Sequence, residues 1–201
     1  MNTSLLSWCA AFGLACGAAT AAEPAAAPAG GGARVSLFDG KTLAGWDVLK
    51  CEAVVDNGEI LLKSGNGLVQ SQKKYGDFVL EFEWKPLKDD KWDSGVYFRY
   101  DGVPANRPWP KRYQANMRKG DEGNVDGLAG AKSTGLIKPG DWNSFKLTVR
   151  GTKAEMEING KPAWKADGLA GPTESYIALQ AEVPGGGQNR FRNIFITELQ
   201  K

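Results

Sequence analysis

The stretch WDSGVYFRY, residues 92–100, combines an arginine and a tyrosine at a spacing that can do chemistry. On an extended strand, Tyr97 and Arg99 point to the same side. A guanidinium is permanently charged and carries a fixed fork of donors, which suits a polar or negatively charged oxygen of a bound ligand. We therefore predict that Arg99 is catalytic and that Tyr97 binds substrate, the alternative being an arginine paired to a cross-strand glutamate. The opposite side is predicted to face the core: Val96, Phe98 and Tyr100.

Two further stretches repeat the two-residue spacing of polar side chains. Gln114 and Asn116 share one strand face after Tyr113, and amides both donate to and accept from sugar hydroxyls. Gln180 and Glu182 do the same on a strand that is otherwise apolar. We predict that Glu182 is a catalytic base and that the other four residues bind substrate. An ordinary solvated strand is the alternative for the Tyr113–Asn116 stretch.

Loop aromatics and aspartates extend this set of candidates. Trp92 and Trp109 lie in or beside loops and could stack on a sugar ring, although loop tryptophans also cover cores. The stretch KDDKWD places Asp89, Asp90 and Asp93 at short spacing, which could suit Ca²⁺ or another divalent metal. A solvated turn is the alternative, and no cofactor follows with certainty.

Composition narrows the possible chemistry. The chain of 201 residues contains no histidine, which excludes Ser-His-Asp and Cys-His catalysis and zinc sites with histidine ligands. Its 25 Lys and Arg balance 23 Asp and Glu without a basic run, which argues against nucleic acid as a partner. Because histidine is absent, any general base must be a carboxylate, lysine, tyrosine or metal-bound hydroxide.

The N-terminus indicates export. Residues 1–22 carry no charged side chain and end in small residues, as a secretory signal peptide does, and residues 23–33 form a Pro/Ala/Gly-rich linker. We predict a periplasmic or extracellular protein without stable membrane insertion after cleavage. Lipidation at Cys16 is a less favoured alternative.

The elements that must position these residues are strands. From Arg34 onward, short alternating or apolar segments are separated by turns such as Asn57-Gly58 and Asn159-Gly160, and no helix is predicted. This pattern is typical of an all-β sandwich or barrel over residues 34–201. Two irregular stretches, 101–111 and 119–139, are long enough to be functional loops.

An ordered set of motifs resembles one family. SLFDGKTLAGW, YGDFVLEFEWK, SGVYFR, GDWNSFKLTVRG, EINGKPA, IALQ and RFRNIFITEL occur in the order found in the 3-keto-disaccharide hydrolase family. The resemblance implies a concanavalin A-like jelly roll of two antiparallel sheets with a sugar groove. It also implies cleavage of 3-keto-glycosides. Asp93 stands where the family commonly has asparagine, and we include Asp93 among the substrate-binding residues.

The function expected from these observations is cleavage of 3-keto-glycosides by hydrolysis, or by elimination followed by hydration. A ketone at carbon 3 acidifies the hydrogen on carbon 2, so one base and one donor array near the oxygen suffice. The expected partner is an oligosaccharide or glycoside. A non-catalytic carbohydrate-binding module of the same fold is the alternative, and a cell-surface interaction domain is a third hypothesis.

Overall fold

The computed structural model describes Met1 and residues 31–200, and within them it contains eleven strands and no helix. The strands are β1 (Gly31–Ser36), β2 (Trp46–Asp56), β3 (Glu59–Tyr75), β4 (Phe78–Pro86), β5 (Gly95–Tyr97), β6 (Gln114–Asn116), β7 (Asn143–Arg150), β8 (Lys153–Ile158), β9 (Lys161–Asp167), β10 (Ser175–Val183) and β11 (Asn189–Leu199).

All strand pairs are antiparallel, and one continuous ladder curls into two packed layers. The order is β6-β5-β10-β3-β11-β4-β7-β8-β9, with β1 added on β11 and β2 on β3. β3 joins the layers because residues 65–75 pair with β10 and residues 60–62 pair with β11. The front layer is therefore β6, β5, β10, β2 and most of β3, and the back layer contains β11, β4, β7, β8 and β9. The predicted jelly-roll sandwich is confirmed.

Strand alternation builds the core. On β4, Phe78, Leu80, Phe82 and Trp84 are buried, and the ring of Phe82 stacks on that of Phe145 at 5.1 Å between centroids. The intervening carboxylates lie on the outer surface of the back layer. There Glu81 bonds to Arg34 and Glu83 to Arg192, both at 2.6 Å. Both carboxylates are thus paired with arginines on the outer surface of the back layer.

Asparagine–glycine pairs close two hairpins. Asn57 and Gly58, between β2 and β3, have φ of 54° and 79°. Asn159 and Gly160, between β8 and β9, have φ of 52° and 73°. Asparagine and glycine tolerate this left-handed region, so the turns form where the sequence predicts them.

Of the predicted N-terminal linker, residues 23–33, the structure describes only the last three residues. Residues 31–33 belong to β1, where Gly31 pairs with Leu199, so the strand begins three residues inside the predicted linker. Backbone pairing to β11 overrides the glycine-rich composition. The signal segment and Cys16 lie outside the described residues. In the described part of the chain, no helix has the length and apolar character needed to cross a bilayer.

A second apolar cluster sits on the outer face of the front layer. It contains Leu68, Tyr97, Tyr100 and Ala178, with Val103, Trp109 and Tyr176 packed against it. Residues 101–112, hereafter the Trp109 loop, thus lie across the middle of the face where the groove was predicted. The face remains open at its two ends.

Candidate active site

Strand register brings the predicted polar residues onto the outer face of the front layer. Tyr97 on β5 lies opposite Gln114 on β6 and Ala178 on β10. Gln180 and Glu182 follow Ala178 at intervals of two, so their side chains continue along the same face. Ile177 and Leu179 point into the core instead. The polar side chains therefore converge at the end of β10 that approaches Val183.

Three of these side chains form a hydrogen-bonded chain that ends at a carboxylate. The Gln114 amide Nε2 donates to Gln180 Oε1, and Gln180 Nε2 donates to Glu182 Oε2 at 2.8 Å. Gln180 is only 4% exposed, so its two bonds satisfy an otherwise buried amide. We call this chain the glutamine relay. It fixes the orientation of the Glu182 carboxylate.

Glu182 shares an open cavity of about 290 Å³ with a second carboxylate, Asp93. Burial raises the pKa of Asp93 to about 6, the negative charge of Glu182 adds to the rise, and the positive charge of Arg118 opposes it. A carboxylate with this pKa is largely ionised at neutral pH and is a stronger base than an ordinary aspartate. We call this site the Asp93–Glu182 cavity.

The Asp-Ser-Gly sequence before β5 has a separate role for each residue. Asp93 lines the cavity, while the buried Ser94 hydroxyl donates to the Gln180 carbonyl at 2.7 Å and ties β5 to β10. Gly95 leaves room for Gln114, because a Cβ at Gly95 would lie 2.0 Å from Gln114 Nε2. Ser94 and Gly95 therefore set the position of the glutamine relay, and Asp93 follows directly into the cavity.

A glycine loop closes the opposite side of the cavity. Gly186 donates its N–H to the Glu182 carbonyl at 2.6 Å and accepts from the Asp93 N–H at 2.9 Å. A Cβ at Gly186 would lie 2.4 Å from the Asp93 carbonyl oxygen, so only glycine permits this approach. The loop thereby holds the two carboxylate-bearing residues next to each other.

Three cationic side chains line this cavity, Lys91, Arg118 and Lys119, and none of them was predicted from the sequence as a site residue. Arg118 lines the cavity, and its Nε donates to Asp121 at 2.9 Å. Gln114, Asn116 and Arg118 continue one two-residue spacing, and this was the signal that could have found the arginine. Asn116 holds the turn, since its Oδ1 accepts the Arg118 N–H at 2.7 Å.

The structure places Arg99, predicted to be catalytic, away from the Asp93–Glu182 cavity. Arg99 takes a φ of 49°, which ends the strand alternation and turns its side chain away from the front face. Its guanidinium is 6% exposed and contacts Asp77 at 2.7 Å and the Pro172 carbonyl at 3.3 Å. For the same reason Tyr100, predicted to face the core, joins Tyr97 in the outer cluster with ring centroids 6.2 Å apart.

Comparison with known proteins agrees with a sugar-directed site. Residues 33–197 match the family described as the 3-keto-alpha-glucoside-1,2-lyase-like domain. The chain belongs to this family. A search of curated proteins found no match. The family assignment gives the Asp93–Glu182 cavity a chemical context, which neither carboxylate provides by itself.

Solved structures similar to this family member share its fold. A candidate glycosyl hydrolase from Parabacteroides distasonis has a TM-score of 0.69 at 18% identity, covering 83% of this chain and 94% of that one. The carbohydrate-binding module CBM66 from Bacillus subtilis gives 0.58 at 16% identity, covering 75% and 93%. A β-glucanase from Bacillus licheniformis gives 0.51 at 14% identity, covering 86% and 100%. At these identities the likeness shows the fold alone.

Tyr97 lies close to both carboxylates of this family member. Burial raises the pKa of its phenol well above the ordinary value, the charge of Arg107 opposes that rise, and the charges of Asp93 and Glu182 add to it. A phenol with a raised pKa stays protonated at neutral pH. Tyr97 is 4% exposed and packs in the outer cluster, so it lies near the acidic pair without lining the Asp93–Glu182 cavity.

Tyr113 does not bind substrate in this structure, because it belongs to the core. It is 1% exposed, stacks near Phe98 with ring centroids 6.1 Å apart, and its hydroxyl accepts the Ala170 N–H at 3.0 Å. The strand β6 begins one residue later, at Gln114, and alternation places Tyr113 on the inner side.

The two loop tryptophans differ in their surroundings. Trp92 is 3% exposed, and its indole N–H donates to Glu122 Oε1 at 2.9 Å, so it forms the floor of the cavity beneath Lys119. Trp109 packs on the outer cluster and donates to the Gly67 and Ala181 carbonyls at 3.2 and 3.1 Å. Trp92 is therefore buried, whereas Trp109 is half-buried.

Metal ligation has a limited basis in the described residues. They contain no group of three or more His, Cys, Asp or Glu side chains placed to hold an ion. Asp90 is bonded to Lys119, whereas Asp93 faces Glu182. Two carboxylates alone offer fewer oxygen ligands than the six to eight that Ca²⁺ takes. A divalent metal therefore stays a prediction without a defined ligand set.

Proposed function

We propose that this protein is an exported enzyme that cleaves 3-keto-glycosides by elimination between carbons 1 and 2, followed by hydration. The observation that carries the proposal is the Asp93–Glu182 cavity, where a desolvated carboxylate with a raised pKa shares the space with a second carboxylate and three cationic side chains. Family membership supplies the substrate class. The uncharged apolar segment at residues 1–22 supports export.

In the proposed reaction Asp93 removes the proton from carbon 2 of the sugar. The electron pair of the C2–H bond forms an enolate with the carbon 3 ketone. When the ketone reforms, a C1=C2 double bond appears, and the bond between carbon 1 and the leaving oxygen breaks. The leaving oxygen takes the proton from Asp93, which restores the carboxylate, and water then adds across C1=C2. General base catalysis of this kind contributes about 10²–10⁴-fold.

The remaining residues of the cavity stabilise charge and orient the substrate. Arg118, Lys91 and Lys119 supply positive charge that stabilises the enolate oxygen. Glu182, held by the glutamine relay, accepts a hydrogen bond from a sugar hydroxyl and keeps the pKa of Asp93 raised. This assignment moves the base from Glu182, where the sequence placed it, to Asp93.

The test compares a 3-keto-α-glucoside with the same glucoside unoxidised. We expect the wild-type protein to cleave only the ketone, because only the ketone acidifies the C2–H bond. Asp93→Asn should reduce the rate by about 10²–10⁴-fold. Equal cleavage of both glycosides would refute elimination through an enolate, and equal rates for wild type and Asp93→Asn would refute the assigned base.

A non-catalytic carbohydrate-binding module is a second candidate function. It is favoured by the fold shared with the CBM66 module and by the Trp109 loop, which lies across the middle of the front face. In that case the 3-keto-glucoside and the unoxidised glucoside should both bind, and neither should be cleaved. Measuring binding and turnover on the same samples separates the two functions.

A further inference from the structure

The open end of the front face far from Asp93 carries a second cavity of about 160 Å³. Tyr176 begins the row of outward side chains on β10 that ends at Glu182, six residues further on. At about 3.3 Å per residue these ends lie about 20 Å apart. The Trp109 loop covers the face between them. The two cavities are therefore separate openings, and we call this one the Tyr176 cavity.

The Tyr176 cavity combines an aromatic wall with hydrogen-bonding groups. Tyr176 is half-buried, with Lys74 Nζ 5.2 Å from its ring centroid. The hydroxyl of the buried Tyr100 donates to Gln70 Oε1 at 2.8 Å, so the Gln70 oxygen is occupied. Within the described residues the Gln70 amide nitrogen donates to no partner, which leaves it able to donate to a ligand.

Charged side chains at the rim of the Tyr176 cavity provide hydrogen-bond acceptors, and because their charges have both signs, the net charge of the rim is small. Asp101 and Glu174 are exposed carboxylates that line the opening, and Lys74 carries the opposite charge. Sugar recognition uses an apolar ring face together with a few directed donors and acceptors. A mixed-charge rim favours a neutral polar ligand over an anion or a cation.

We propose that the Tyr176 cavity is a second carbohydrate-binding site, which takes one ring of a neutral oligosaccharide. The ring lies against Tyr176, the Gln70 amide donates to one hydroxyl, and Asp101 and Glu174 accept from others. This site is independent of the proposed elimination, because none of its residues lines the Asp93–Glu182 cavity. Binding at this site would keep a glycan on the protein while another part of the same glycan is cleaved.

The experiment measures maltotriose binding to the full chain by protein-observed NMR titration. Maltotriose contains no ketone at carbon 3, so binding is read without turnover. We expect Tyr176→Ala to weaken binding at least tenfold, and Tyr176→Phe to retain it because the ring remains. Glu182→Gln, the matched change in the other cavity, should leave maltotriose affinity unchanged. Gln70→Met, which removes the amide at similar length, should also weaken binding and provides a second variant if Tyr176→Ala fails to fold.

Three results would overturn the proposal. The first is the absence of maltotriose binding by the wild-type protein. The second is wild-type affinity in folded Tyr176→Ala or Gln70→Met. The third is a loss in Glu182→Gln equal to that in Tyr176→Ala, which would place the sugar in the Asp93–Glu182 cavity. Turnover of a simple 3-keto-α-glucoside by Tyr176→Ala should match the wild type. The turnover assay therefore tests the elimination mechanism, and the maltotriose titration tests the second binding site.

Discussion

At the scale of single residues, Asp93 decides how activity depends on pH. Its pKa is raised to about 6 by burial and by Glu182, and the proposed reaction needs the ionised form. We expect kcat/KM to rise with pH and level off above an inflection near 6. Glu182→Gln removes the neighbouring negative charge, so the inflection should move to lower pH. An unchanged inflection in Glu182→Gln would show that another group titrates.

The same residue should lower stability at neutral pH. Because the folded-state pKa of Asp93 is raised from 3.8 to about 6, the folded protein binds more protons than the unfolded chain within that window. Stability therefore falls as pH rises from about 4 to 6. Asp93→Asn should have a higher Tm than wild type at pH 7, and the difference should shrink toward pH 4. A difference independent of pH would contradict the assigned environment.

Arg99 should be important for stability and not for chemistry. It forms a buried ion pair with Asp77, and Arg99→Met leaves that carboxylate without its partner. Breaking such a pair costs about 3–5 kcal/mol in the free energy of unfolding. Lys63→Met is the matched control, because the Lys63–Glu52 pair is half exposed and should cost about 1 kcal/mol or less. Below its Tm, Arg99→Met should keep wild-type kcat, and a large loss would restore Arg99 to the reaction.

At the scale of strands and loops, the sequence predicts faces well where the backbone stays extended. Alternation places the aromatic residues of β4 in the core and the amides of β6 and β10 outside. The prediction fails at Arg99, where a left-handed φ of 49° breaks the period of two. It also fails for the loops, because the sequence does not show that Trp109 packs onto the front face. Such contacts depend on tertiary packing, which local periodicity does not record.

The glutamine relay predicts that adding a methyl group at Gly95 lowers activity. In Gly95→Ala the new Cβ displaces the Gln114 amide and breaks its bond to Gln180. Loss of a neutral amide–amide hydrogen bond costs about 0.5–1.5 kcal/mol, and if that loss falls on the transition state, kcat decreases about two- to tenfold. Gln114→Ala should have the same effect, and the double variant should lose little more. Gly32→Ala, in β1, is the control and should keep its activity; additive losses in the double variant would argue against the relay.

At the scale of the whole molecule, the curled antiparallel sandwich provides one face with two open ends. Burial of the inner side chains fixes the layers, and the short β5 and β6 extend the front layer far enough to bring Asp93 beside Glu182. Composition alone excluded histidine chemistry, and the ordered motifs gave the family. The base and Arg118 could not be assigned from sequence, since their proximity arises from a glycine loop and a turn far apart in the chain.

The central claim, that Asp93 takes the proton from carbon 2, is tested most directly by isotope exchange. A 3-keto-α-glucoside is incubated in D₂O with wild-type protein or Asp93→Asn, and the C2–H signal and the released aglycone are followed by ¹H NMR. We predict that wild-type protein releases the aglycone and leaves deuterium at carbon 2 of the hydrated sugar. Asp93→Asn, folded as judged by its Tm, should do neither at a measurable rate. Deuterium incorporation by Asp93→Asn at the wild-type rate would contradict the account.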